Sequence, residues 1–233
     1  MSKSPNDISF FDHFDELRSR LIKSIIAVLI ASCFFYSVID KVFAILVKPV
    51  GKLVFTSPGE AFIARVMLAF FGGLFLALPV ILYQIWEFVA AGLKEREAKF
   101  VKVFAPCSLL LFVAGGLFAY FVTIPISIRF LLSFSTDTIV PMITIKSYIS
   151  FFGTMLLAFG VVFELPLILM FLTKIGITTP AFLVQKRRYA IVIILIVSAL
   201  VTPPDFITQL IMAVPLVILY EIGIVVSKLT YRK

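Results

Sequence analysis

Three carboxylates, Glu16, Glu97 and Glu164, stand where neither membrane insertion nor simple solubility calls for an acid. Glu164 lies inside an apolar run, Tyr148 to Leu172, where a charged group is costly unless paired, hydrated or protonated. Two chemistries suit it: a proton-linked or ligand-facing group in a wet cavity, or a protonated side chain that hydrogen-bonds a neighbouring helix. Glu16 belongs to Asp12-His13-Phe14-Asp15-Glu16-Leu17-Arg18-Ser19-Arg20, and Glu97 closes Lys94-Glu95-Arg96-Glu97. Acids set among Phe14, Trp86 and Phe88 could receive a basic peptide through paired hydrogen bonds from arginine guanidinium groups. The competing reading is a solvated loop of mutual ion pairs. Asp205, after Pro203-Pro204, and Glu60, after Pro58-Gly59, each precede an apolar run, where an acid suits the positive end of a helix dipole. Glu87 and Glu221 fall near run ends, where snorkelling or pairing with a nearby lysine suffices.

Other chemistry lacks its parts. His13 is the lone imidazole, and Cys33 and Cys107 sit inside apolar runs, so neither a metal site nor a disulfide framework is expected. No phosphate loop, dinucleotide glycine pattern or nucleophile–base–acid set is present. The chain is therefore expected to be no enzyme and to need no cofactor. Energy for any transport would come from a partner or from the membrane potential, about 2.3 kcal/mol per charge per 100 mV.

The elements that must position these acids follow from composition. Of the 233 residues 61% are hydrophobic and 15% charged, against about 25% charged in an ordinary soluble domain. A water-soluble fold is excluded, and the chain reads as an all-α polytopic membrane protein. Six spans are expected, at 21–39, 66–88, 103–128, 148–172, 189–201 and 206–226, within one integral membrane domain covering 1–233. The fifth run would be only about 20 Å long at ~1.5 Å per residue, so a short fifth and sixth span and an uneven membrane profile are expected. Pro79, Pro106, Pro125, Pro166 and Pro215 fall inside runs and should bend them into a kinked bundle. The Gly72-Gly73 and Gly115-Gly116 pairs permit close helix approach.

A net charge of +8 raises nucleic acid as a partner, but the basic residues cluster between apolar runs. Six spans put fifteen of the 21 Lys and Arg residues on the side that holds both termini, which makes that side cytoplasmic. Orientation thus explains the charge without nucleic acid. The opposite-side segment 40–65 is long and amphipathic enough for a short surface helix, and 129–147 has the same character. Two look-alikes are set aside. Ile30-Ala31-Ser32-Cys33 resembles a lipoprotein cleavage box, but four acids precede it and the apolar run continues beyond it. Arg187-Arg188 before an apolar run is internal and is read as an orientation signal.

Taken together, HFDELRSR at His13 to Arg20, TSPGEAF at Thr56 to Phe62, YQIWEFVAAGLKERE at Tyr83 to Glu97, FGVVFELP at Phe159 to Pro166 and the stretch from Lys186 to Ile224 resemble the TatC family. That family is the receptor subunit of the twin-arginine protein translocase. The resemblance implies six spans in a concave cup with both termini cytoplasmic, in the cell inner membrane. It implies binding of the twin-arginine signal peptides of folded cargo by Glu16 and Arg18 of the first motif and by Phe88 and Glu97 of the third. It also implies recruitment of single-span TatA/TatB-type subunits, association with membrane lipid and with further copies of the chain, and transport driven by the proton-motive force. Glu164 matches the family's buried glutamate on the fourth span, and Asp205 the acid after the double proline.

Two departures stand out. Ala91 replaces a proline common in relatives, and Phe206-Ile207-Thr208-Gln209 replaces a more usual Pro-x-Ser-Gln. The alternative function is a small proton-coupled secondary transporter using Glu164, a class often built on internal repeats. No convincing repeat relates the two halves, and the acids flanking the first two spans would go unexplained. The absence of a transit peptide favours a prokaryotic source.

Overall fold

A computed structural model of the chain describes residues 10–47, 53–93, 101–136, 142–201 and 206–231. Among them the architecture is helical throughout, and the only strand-like feature is an isolated parallel bridge between Val54 and Thr144. The helices are α1 (Phe10–Tyr36), α2 (Ile39–Val47), α3 (Glu60–Ala91), α4 (Val101–Phe118), α5 (Ile124–Leu132), α6 (Ile145–Phe163), α7 (Leu165–Lys174), α8 (Pro180–Gln185), α9 (Arg187–Val201) and α10 (Phe206–Thr230). Among the described residues five stretches are long and apolar enough to cross a membrane: Phe14–Tyr36, Glu60–Ala91, Val101–Leu132, Ile145–Lys174 and Phe206–Thr230. The chain is thus a membrane protein with several apolar spans.

Helix limits exceed the apolar runs because backbone hydrogen bonding does not stop where hydrophobicity does. α1 begins at Phe10, so the charged motif before the first run is itself helical. It contains neither Gly nor Pro, and it ends in tight bonds from the N–H of Ser37 to Phe34 O and of Val38 to Phe35 O, both 3.1 Å. The fifth segment is short as expected, since the 15 residues of α9 rise about 22 Å. The sixth is not. α10 runs 25 residues through Pro215 to Thr230, because Ser227 and Lys228 continue the helix beyond the apolar run that ends at Val226. A short helix, α2, follows the first run, inside the segment where one was expected.

The prolines divide into two groups. Pro79, Pro106 and Pro215 lie within continuous helices, whereas Pro125 and Pro166 mark breaks. Each of these two takes a first-turn position in the next helix, where a missing N–H is tolerated. Before Pro125 the backbone widens into a π-helical turn, Ala119–Thr123, with the Ile124 N–H donating to Ala119 O five residues back. Before Pro166 the fourth apolar stretch parts at Glu164 into α6 and α7.

The chain groups into two compact units, Met1–Lys41 with Arg65–Leu109, and Val42–Ala64 with Leu110–Lys233. In the first, α1 and α3 cross at the Gly72-Gly73 pair. A Cβ on Gly73 would run into the Ser32 backbone, and one on Gly72 into the Phe35 ring. Trp86 and Phe104, both buried, stack with ring centroids 5.3 Å apart and join α3 to the start of α4.

In the second unit α4 and α6 approach by two opposed glycines: a Cβ on Gly115 would meet Phe159 O, and one on Gly160 the Phe112 ring. α7 ends at Gly176, whose φ of +80° lets the Ile177 N–H turn back to Leu172 O at 3.0 Å. α10 packs on α7, where Gly223 faces Leu169 and Pro166, and holds α9 by a bond from Gln209 Nε2 to Leu195 O, 3.0 Å.

Candidate functional site

The first unit gathers a charged cluster where the N-terminal part of α1 meets the C-terminal part of α3. Glu16 and Arg20 are one helical turn apart, acid first, which is the favourable order for a helix pair. Arg20 Nη2 lies 2.5 Å and Nε 2.9 Å from Glu16 Oε1. The same guanidinium crosses to α3, with Nη1 donating to Gln84 Oε1 at 3.3 Å and Nη2 3.8 Å from Glu87 Oε2. The side chains of Arg20, Glu16 and Glu87 are 20%, 28% and 37% exposed. They are dry enough for directed hydrogen bonds and open enough for exchange with a ligand.

The expected site residues fare differently. Glu16 is in this cluster. Phe88, half-buried on α3, follows Glu87 directly. Arg18 is exposed and makes no ion pair among the described residues; two positions from Glu16, it points to another side of α1. Glu97 and Asp205 lie outside the described residues. The cluster's centre, Arg20, is not among the expected ligands, and neither is Glu87. Snorkelling or lysine pairing was expected for Glu87 and Glu221, and both approach arginines: Glu87 lies 3.8 Å from Arg20 Nη2 and Glu221 2.7 Å from Arg187 Nη2. A guanidinium offers several donors in a plane and bridges two elements more readily than an ammonium. The Glu16-x-x-x-Arg20 spacing was the available clue.

Glu60 departs from expectation in another way. Rather than capping only its own helix, its carboxylate organises two loops of the second unit. Oε2 accepts from the backbone N–H and the hydroxyl of Thr56, at 2.7 and 2.8 Å, and Oε1 from the Lys146 N–H at 3.3 Å. Lys146 is in the first turn of α6, so Glu60 satisfies an open donor of a helix far along the chain. Beside it, Val54 N–H bonds to Ile143 O (3.1 Å) and Ile145 N–H to Val54 O (2.9 Å). Tyr148 donates to Leu46 O at 2.6 Å and fastens α2 to the same end of α6.

Glu164 is 8% exposed at the α6–α7 break, where its N–H bonds to Val161 O and Val162 O in a tightened turn. Among the described residues no group of His, Cys, Asp and Glu is arranged to hold a metal ion.

Several long apolar helices, with a charged cluster where two of them meet in the first unit, define a polytopic membrane protein. The family description "Sec-independent protein translocase protein (TatC)" matches residues 12–215. The chain is 46% identical to a Sec-independent protein translocase protein TatC of Carboxydothermus hydrogenoformans over 226 residues, covering 95% of this chain and 93% of that one. It is 38% identical to TatCy of Bacillus subtilis, covering 98% of this chain and 92% of the relative. A crystal structure of the twin-arginine translocase receptor TatC superposes with a TM-score of 0.85 at 39% identity, over 94% of this chain and all of that one. The chain belongs to the TatC family of protein translocase components.

Proposed function

We propose that the chain is the signal-peptide receptor and scaffold of a twin-arginine translocase. It spans the inner membrane six times as one integral domain, with α9 as the short fifth span and both termini in the cytoplasm. Glu16 and Glu97 receive the arginine pair of the signal peptide, Arg18 and Phe88 flank them, and single-span TatA/TatB-type subunits and further copies of the chain assemble around it. Transport is driven by the proton-motive force, to which Glu164 contributes by moving protons or by shaping a buried surface.

One observation carries this reading: in a chain of this family, a guanidinium already sits on Glu16 in a partly buried cluster that α3 shares through Gln84 and Glu87. A site that holds one arginine in this way has the charge and acceptor geometry to hold another. The test is deletion of the gene. Export of folded cargo bearing a twin-arginine signal should stop, while export of unfolded proteins continues. Continued export of the folded cargo would refute the assignment.

A further inference from the structure

Arg20 has an unusual position among the charges of the first unit. Nη2 touches Glu16 at 2.5 Å and stands 3.8 Å from Glu87, so one guanidinium is shared unequally between two carboxylates on different helices. We propose that Arg20 is an internal stand-in for the arginine of a guest peptide: the guest displaces it from Glu16, and Glu87 receives it. The inference rests on the reading that Glu16 binds the signal peptide, and it adds two residues that act on that binding.

The geometry favours a handover. A charge-assisted hydrogen bond of ordinary length to Glu87 requires Nη2 to move only about 1 Å. Gln84 Oε1, 3.3 Å from Nη1, lies on α3 one turn before Glu87 and holds the guanidinium toward that helix during the shift. The charges also balance. Glu16, Glu87 and Arg20 together carry one net negative charge, which one guest guanidinium neutralises. Without Glu87 the displaced Arg20 would stay beside the incoming cation and repel it. Without Arg20 Glu16 would be open from the outset. Glu87 is thus a positioning residue, acting on the guest through Arg20.

The experiment is a binding titration of a photo-crosslinkable twin-arginine signal peptide to membrane vesicles holding the full chain with its translocase partners, at matched protein levels. Partly exposed ion pairs are weak, so the expected changes are about two- to fivefold. Arg20→Gln should tighten binding by that factor and Glu87→Gln should weaken it by a similar factor. The double variant should bind like Arg20→Gln alone, because Glu87 has no role once Arg20 is gone. Arg20→Lys, which retains the charge needed for insertion, should shift binding in the same direction as Arg20→Gln but less. Simple charge attraction predicts instead that Glu87→Gln weakens binding equally with or without Arg20, and that result would overturn the proposal. So would unchanged or weaker binding in both Arg20 variants while Glu16→Gln still weakens it. If Glu16→Gln itself leaves binding unchanged, the underlying site assignment falls, and this proposal with it.

Discussion

Glu60 reaches across 86 positions of sequence to the backbone N–H of Lys146, 3.3 Å away, while its other oxygen closes the turn at Thr56. One buried carboxylate thereby fixes both the entry to α3 and the first turn of α6. Glu60→Ala removes an acceptor from three donors at once, and hydrogen bonds to a charged group contribute about 1.5–3 kcal/mol each when lost. The variant should lower the midpoint of thermal unfolding in detergent and speed amide exchange at Val54, Ile145 and Lys146. Glu60→Gln, which keeps an oxygen acceptor, should lose less.

The glycine contacts predict a graded series. At Gly73 and Gly115 an added Cβ would strike backbone atoms of Ser32 and Phe159, which cannot swing aside as a side chain does. Gly73→Ala and Gly115→Ala should each cost about 1–3 kcal/mol, as overpacking usually does. Gly59→Ala, with nothing within 4 Å of the new methyl group, should be neutral. The yield of folded protein and its unfolding midpoint would show the order.

These contacts also show how far the chain could be read in advance. Apolar run lengths located the long helices, since a 20-residue hydrophobic stretch has few alternatives. Their ends could not be read in the same way. α1 and α10 continue into charged residues, and nothing in hydropathy marks where hydrogen bonding stops. Proline was only half informative: Pro125 and Pro166 break their helices and Pro79 does not, because neighbouring packing decides whether a lost N–H is accommodated. The one-turn spacing of Glu16 and Arg20 was legible in their motif. The link from Arg20 to Gln84 and Glu87 depends on how α1 crosses α3, and that depends on which small residues let the backbones meet.

Glu164 gives a substitution test of burial. At 8% exposure beside the α6–α7 break, a neutral glutamine can keep hydrogen-bonding capacity, whereas a lysine places a fixed cation in the same space. Insertion of such a cation at a helix centre costs about 2.5–3.5 kcal/mol. Glu164→Gln should retain more folded protein and more export than Glu164→Lys. Equal performance of the lysine variant would mean that the site is open to water.

Tyr148 offers a milder case. Its hydroxyl donates to Leu46 O at 2.6 Å within a buried contact. Tyr148→Phe leaves that carbonyl without its donor and should cost about 1–3 kcal/mol. Faster amide exchange confined to α2 and the start of α6 would distinguish this local loosening from global unfolding.

The proposed receptor function rests most directly on Glu16 and Glu97. Crosslinking of a twin-arginine signal peptide to the chain in native membranes should fall in both Glu16→Ala and Glu97→Ala at normal protein levels, and fall further in the double variant. Undiminished crosslinking in both single variants would contradict the assignment of this site to the signal peptide.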